Sequence, residues 1–348
     1  MALMTTATAP LLSQYQDYFS KDLLKYAIQE LRLNEFGQLR DLPQNVGSKT
    51  ISFFRFGEAS SANVQTLTEG VTPVTTREVA LTKIDATIVQ YGELAKITDV
   101  MGMVTLFDAL KQAIVSMGED AALKADDISR NELVLNGTKR YSQTNANFAA
   151  LAAAPVANGK FLSTDVLDIV TRLKVNRSHR IRGNVVCVLP PQISRDVQND
   201  PDWKLASQYA GSTQIFKGEM GMLHGCIFVE ATNPFIEDSA GAEGVHVPTG
   251  DIFSSIFLGA DSFGCVKLGS SSPYSPRVIV TKGADKSDPL DQIMTAGWKA
   301  WNVCKLLNPN WMRVYKSKSA FVGYRMKFGG RCSTPPTIFT LIYENFKS

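Results

Sequence analysis

This chain of 348 residues lacks most of the features on which chemistry and membrane insertion depend. No apolar run approaches the roughly 20 residues that cross a bilayer as a helix, so no membrane partner is expected. The five cysteines, Cys187, Cys226, Cys265, Cys304 and Cys332, are odd in number and include no CxxC pair. That argues against a disulfide framework and for buried, reduced thiols. The first four are evenly spaced, but their flanks (VVCVL, HGCIF, FGCVK, NVCKL) share only apolar neighbours, so the spacing marks no repeat. His179, His224 and His246 lie apart, and only His224 has a cysteine close by, Cys226; nothing has the spacing of a metal-ligand set. Walker-type, HExxH, GxSxG and GxGxxG motifs are all missing. No catalytic residue, cofactor or metal is expected, and the chain reads as a non-enzyme.

Hydrophobic residues make up 44% and charged residues 20%, which excludes a disordered chain and fits a globular one. The start, Met1 to Pro10, has no basic region and reads as a mobile arm, not a signal peptide, so the protein is expected in a cytoplasm. Asp17 to Leu33 has helical spacing.

Two neighbouring patterns carry the argument outward. Lys49 to Phe56 is rich in aromatic and β-branched residues, and Arg77 to Ile97 alternates with period two, so both read as strands. Between them, Gly57 to Thr76 is mostly Ser, Thr, Gly and Ala, with Glu58 and Glu69 and no base. A loop of that length is functional or disordered, and a lone hairpin is marginal in water, so this arm should lie on something. Next, Met103, Phe107, Leu110, Ile114, Met117, Ala121, Ala125, Ile128 and Leu135 form one apolar stripe, interrupted by Glu132. Thr105 with Asp108 as a cap and Asn136-Gly137 as a left-handed stop predict a helix from Leu106 to Leu135, roughly 45 Å long.

Lys139 to Gly159 reads as a linker or loop. A mixed block follows. It has a helix capped by Ser163 or Thr164 through Leu173, a strand at Asn184 to Leu189, a helix at Ile193 to Val197, and strands at 226–230, 252–258, 265–268 and 277–281. Ile293 to Lys305 and Trp311 to Tyr315 then read as late strands beside the long helix, leaving the middle block as an insertion. The basic run Thr171 to Arg182 reads as a solvated helix end whose bases complement the dipole. From Gln292 to Tyr343 there are eight bases and no acid. That +8, within a total of +3, leaves −5 on the remainder. Such a segment suits phosphate or an acidic neighbour, or protects strand edges.

Five segments, LTEGVTP (Leu67 to Pro73), VQYGELAKITD (Val89 to Asp99), LPPQISRDVQNDPDW (Leu189 to Trp203), IFKGEMGMLHGCIFVE (Ile215 to Glu230) and SDPLDQIMTAGWKAWNVCKLLNPNWMRV (Ser287 to Val314), resemble the major capsid proteins of the N4-like tailed phages. The resemblance covers residues 20 to 316. It implies an α+β fold of the Hong Kong ninety-seven type. Its parts would be an N-terminal arm and first helix (1–44), an E-loop hairpin (45–98), a peripheral domain opening with a long spine helix (99–150), an axial domain (151–283) and closing peripheral strands (284–318). Residues 319–348 match nothing, and their role is open. The resemblance implies a structural subunit that assembles with itself, as pentamers and hexamers, into an icosahedral shell around double-stranded DNA. Portal, scaffold and decoration proteins would be further partners, and the place would be the virion capsid, assembled in the host cytoplasm. Phe54, Arg55, Phe56, Leu67 and Glu69 of the E-loop would touch a neighbour, and Lys316, Lys318, Arg325 and Lys327 would face the DNA. An encapsulin-like protein compartment and a soluble α+β enzyme are the alternatives.

Overall fold

The structure is a computed structural model that describes residues 33–40, 49–57, 80–104, 109–143, 145–204, 219–233, 235–237, 251–266, 277–281 and 292–321, with single positions between 64 and 70 and at 290. In chain order its strands are β1 (Gln38–Arg40), β2 (Thr50–Phe56), β3 (Leu81–Thr87), β4 (Val89–Thr98), β5 (Lys139–Tyr141), β6 (Val185–Leu189), β7 (Glu219–Leu223), β8 (Cys226–Glu230), β9 (Ile236–Glu237), β10 (Ile252–Leu258), β11 (Phe263–Val266), β12 (Arg277–Thr281), β13 (Ile293–Asn302), β14 (Cys304–Leu306) and β15 (Met312–Lys318). Its helices are α1 (Asp99–Val104), α2 (Ala109–Asn136), α3 (Phe148–Ala153), α4 (Val156–Gly159), α5 (Ser163–Val175) and α6 (Pro191–Gln198).

A seven-stranded sheet runs β5-β15-β10-β6-β8-β7, with β9 also on β10. Its central strands are buried on both faces, which is why β6 reads as an unbroken apolar run and why even Ser254 and Ser255 of β10 are buried. On one face Val185, Cys187, Phe228, Phe257 and Tyr315 pack against Val166, Ile169 and Leu173 of α5 and Ile193 of α6. On the other, Val186, Ile227, Leu258, Met312 and Val314 meet Leu133 and Val134 of the long helix α2. A second sheet, β12-β13-β4, lies over the earlier part of α2, where Ile114, Met117 and Ala121 pack on Val278, Ala296, Trp298 and Ala300.

The long helix thus serves two sheets in turn, and its buried stripe shifts with the partner. From Leu110 the expected stripe holds to Ile128 and then passes to Leu133 and Val134, while Leu135 is exposed; Phe107 and the Met103 side chain lie outside what is described. Its stop also differs from expectation. Gly137 is not among the left-handed glycines; a side chain there would crowd Met312 and Val314, both 2.8 Å away, so it permits close approach of β15. Thr105 and Asp108 lie outside the described residues, as do most of the expected first helix, Arg325, Lys327 and Cys332.

Three further expectations are corrected. The stretch from 139 to 159 is no linker: it holds β5, α3, which Asn147 caps by accepting from Ala150 N at 2.8 Å, and α4. Ser163 does not cap α5 but is capped itself, since Asp200 accepts from its N–H (3.2 Å) and Asp202 from its hydroxyl (2.6 Å). The middle block does not keep its boundaries. Strand β12 leaves it to pair with β13, and β15, which does lie against the long helix as expected, joins not the peripheral strands but the seven-stranded sheet, between β5 and β10.

Candidate assembly surfaces and the buried ionic centre

Residues 81–98 are not one return strand. Strand β3 pairs with β2 from Thr50↔Thr87 to Phe56↔Leu81, whereas β4 pairs with β13. Buried Ile88 joins them, its N–H donating to Lys49 O at 2.9 Å, so among the described residues a separate two-stranded arm is attached through a short root. The root is a small apolar cluster of Ile51, Phe53, Ala86, Ile88 and Leu307. Phe53 is 1% exposed, and a side chain at Gly264 would collide with its ring, so only glycine admits that packing. Arg40 lies 5.7 Å from the same ring centroid, and Arg55 donates to Leu307 O at 3.4 Å.

Beyond the root the arm carries exposed apolar surface, and Phe54 and Phe56 line a cleft whose far side is formed by Arg177, His179 and Trp311. Phe54 is 44% exposed, Phe56 68% and Leu67 73%; Leu81 and Glu69 are exposed as well. Lys83 pairs with Asp85 at 3.1 Å, and Ser52 donates to Asp85 at 2.6 Å; the serine bond and then the lysine hold the Asp85 carboxyl below its ordinary pKa. Of the five predicted contact residues, four are thus open and Arg55 is partly engaged in fixing the root.

A second open surface was not legible in the sequence. On the face of the three-stranded sheet away from α2, Leu94, Gly297 and Ile279 stand opposite one another, with Leu94 61% and Ile279 41% exposed. The strong alternation of this strand showed that one face is buried but not which neighbours share the other.

Lys316 and Lys318 do not reach a surface, contrary to expectation. Strand β15 is interior to the seven-stranded sheet, and the two lysines are 1% and 3% exposed. Lys316 forms an ion pair with Glu237, with the rings of Phe148 and Phe235 at 5.3 and 5.9 Å. Burial lowers its pKa, opposed by the Glu237 bond. Lys318 donates to Ala152 O (2.9 Å) and Ala154 O (2.7 Å), the carbonyls that end α3. Both side chains are thus engaged within their own subunit, and neither is placed to touch DNA. Beside them the Tyr315 hydroxyl donates to Asp165 at 2.5 Å; burial raises the pKa of both groups. After β15, Ser319 and the Ala320 N–H donate to Asp196 at 2.8 and 2.9 Å, fastening the chain to α6.

Cys187, Cys226, Cys265 and Cys304 are buried and free. Burial raises the Cys187 thiol, and the contact with Cys265, its cross-strand partner, raises Cys304. Among the described residues no three His, Cys, Asp or Glu side chains are grouped to hold a metal, and no helix is long and apolar enough to cross a membrane.

No protein-family model matches the chain, and no curated protein sequence matches it significantly. Solved structures do. The capsid of Ralstonia phage GP4 aligns with a TM-score of 0.62 at 12% identity, over 84% of this chain and 90% of that one. The acidic stable capsid structure of Helicobacter pylori bacteriophage KHP30 aligns at 0.59 and 9% identity, over 82% and 89%. The capsid structure of cyanophage P-SCSP1u aligns at 0.57 and 16% identity, over 82% and 87%. These neighbours span several phages and do not single out the N4-like group. The chain has the α+β fold of tailed-phage major capsid proteins, the Hong Kong ninety-seven type.

Proposed function

We propose that this chain is a major capsid protein, a structural subunit that assembles with copies of itself into the icosahedral shell of a tailed phage around double-stranded DNA. One observation carries the reading: in a chain with this fold, an arm joined by a short root holds Phe54, Phe56 and Leu67 open to solvent. An isolated two-stranded arm with apolar residues at its far end is stable only when something covers it. A neighbouring copy is the natural cover, and the open Leu94–Ile279 row on the three-stranded sheet offers a second contact.

In this reading the β2–β3 arm is the E-loop, α2 the spine helix over the peripheral sheet β12-β13-β4, and the seven-stranded sheet with α5 and α6 the axial domain. Pentamers and hexamers, assembly in the host cytoplasm, and contacts with portal, scaffold and decoration proteins belong to the same proposal. Apolar burial between subunits supplies the driving force, at about 25 cal/mol per Å² before association costs. Electron microscopy and sedimentation of the full-length protein test it. Closed particles or capsomers are expected, filled with DNA when recovered from infected cells. A folded monomer at all micromolar concentrations, with or without co-expressed scaffold, overturns it, and particles that carry protein cargo in place of nucleic acid favour a compartment shell.

A further inference from the structure

Residues 169 to 195 contain no acid, and the structure gathers five of their bases at one corner of the seven-stranded sheet. Arg172 and Lys174 are exposed on the last turn of α5, where bases complement the helix dipole. Arg177, Arg180 and Arg182 are also exposed, but they lie past the end of the helix, on the connection to β6, where the dipole does not account for them. Arg313 of β15 adjoins them; its pKa is lowered by burial and then by the charge of Arg172.

The backbone makes this arrangement more telling. After α5, Ser178 N donates to Leu173 O and Arg177 N to Lys174 O, both at 3.0 Å, the two bonds of a Schellman stop whose left-handed position is Arg177 (φ 51°). Five residues on, Ile181 and Asn184 exchange backbone bonds of 2.9 and 3.0 Å around Arg182 (φ 50°) and Gly183 (φ 88°), a two-residue turn with both central residues left-handed. Glycine or asparagine is the stable choice at Arg177 and at Arg182. Arginine is the strained one, so these positions supply the guanidinium and not the turn.

The corner is also rigid. A side chain at Gly259 would collide with Ser178 and crowd His179 O and Trp311 O at 2.9 Å. Ala260 N donates to His179 O at 2.8 Å, Asn176 Nδ2 donates to Asn310 O at 3.1 Å, and the His179 ring lies 4.8 Å from Trp311. Arg177 and His179 face Phe54, Arg55 and Phe56 of the arm across a cleft in which Asp261 is the one carboxylate among the described residues.

We propose that this corner is the subunit's contact with double-stranded DNA, binding the phosphate backbone without reading sequence. It deepens the shell reading, on which the presence of DNA rests, and moves the contact from the buried Lys316 and Lys318 to an exposed cluster. Duplex DNA carries one charge per about 1.7 Å of axis, and held bases gain from releasing its counterions.

The test is a full-length variant with Arg177→Gly, Arg180→Gln and Arg182→Gly, titrated with a mixed-sequence duplex of about 30 base pairs and followed by fluorescence anisotropy. Its melting temperature should stay or rise, because glycine relieves both left-handed positions. Its affinity at about 0.1 M salt should fall at least about tenfold, and the slope of log K against log salt should become shallower by about 2 to 3. A matched variant with Lys96, Lys111 and Lys299 changed to Gln should bind as the wild type does. The proposal is wrong if wild-type protein does not bind the duplex, if the corner variant binds unchanged, or if the matched variant loses as much. Unchanged DNA binding with loss of particles would make the corner a clamp for an acidic neighbour. Because the titration needs no assembled shell, failure of the shell reading shows separately, as absence of particles by electron microscopy.

Discussion

Changing Phe56 to Ser separates assembly from folding. In the isolated chain Phe56 is 68% exposed, and an aromatic side chain presents about 200 Å², so about 140 Å² of its surface awaits cover. At about 25 cal/mol per Å², full cover by a neighbour stabilises association by about 3.5 kcal/mol and half cover by about 1.8 kcal/mol. The critical concentration for assembly should therefore rise by about twentyfold to about three hundredfold. The subunit should lose little, since a side chain this exposed adds within about 0.5 kcal/mol to the fold. Phe53 is the contrast: it is 1% exposed at the root, and Phe53→Ala should cost the fold about 3 to 5 kcal/mol. Urea melts of the subunit and light scattering across a concentration series read the two quantities separately. Equal destabilisation of folding by both variants, or unchanged assembly of Phe56→Ser, would refute the assignment of the arm to an intersubunit contact.

Removing Glu237 should be costly, because it strands the buried Lys316 ammonium; Glu237→Ala is expected to destabilise by about 3 to 5 kcal/mol, and Glu237→Leu with Lys316→Met to recover most of it in urea melts. The Asp165 carboxyl, raised by burial, adds stability that is fully present below its unfolded value of 3.8 and is lost as pH rises through the folded value. The stability difference between wild type and Asp165→Asn should therefore shift against wild type as pH rises above about 4, and a pH-independent difference would contradict the raised value. Cys187, Cys226, Cys265 and Cys304 should resist thiol reagents in the native subunit and react on unfolding; rapid labelling of the folded chain would contradict their burial.

The sequence by itself determined the period-two strands and the long helix, because alternation and a three-to-four stripe are local consequences of backbone geometry. It placed β8, β10 and β12 at their observed ends, and it marked Phe54, Phe56, Leu67 and Glu69 as arm residues, all of which are exposed. What it left undecided was partnership. In residues 81–98 the apolar positions Ile84, Ala86 and Ile88 give way to Val89, Tyr91, Ala95 and Ile97, a change of phase at 88–89, but only the tertiary structure gives 81–87 to the arm and 89–98 to the sheet over the long helix. Lys316 and Lys318 read as surface bases because charge normally stays in water. Their burial depends on Glu237, about 80 residues earlier, and on the carbonyls of Ala152 and Ala154, about 165 residues earlier, which no local pattern announces. The basic corner shows the same limit: its charges were plain in the run Arg172 to Arg182 and its left-handed turns are local, but the packing of Gly259 and Trp311 against it is decided only by the tertiary structure.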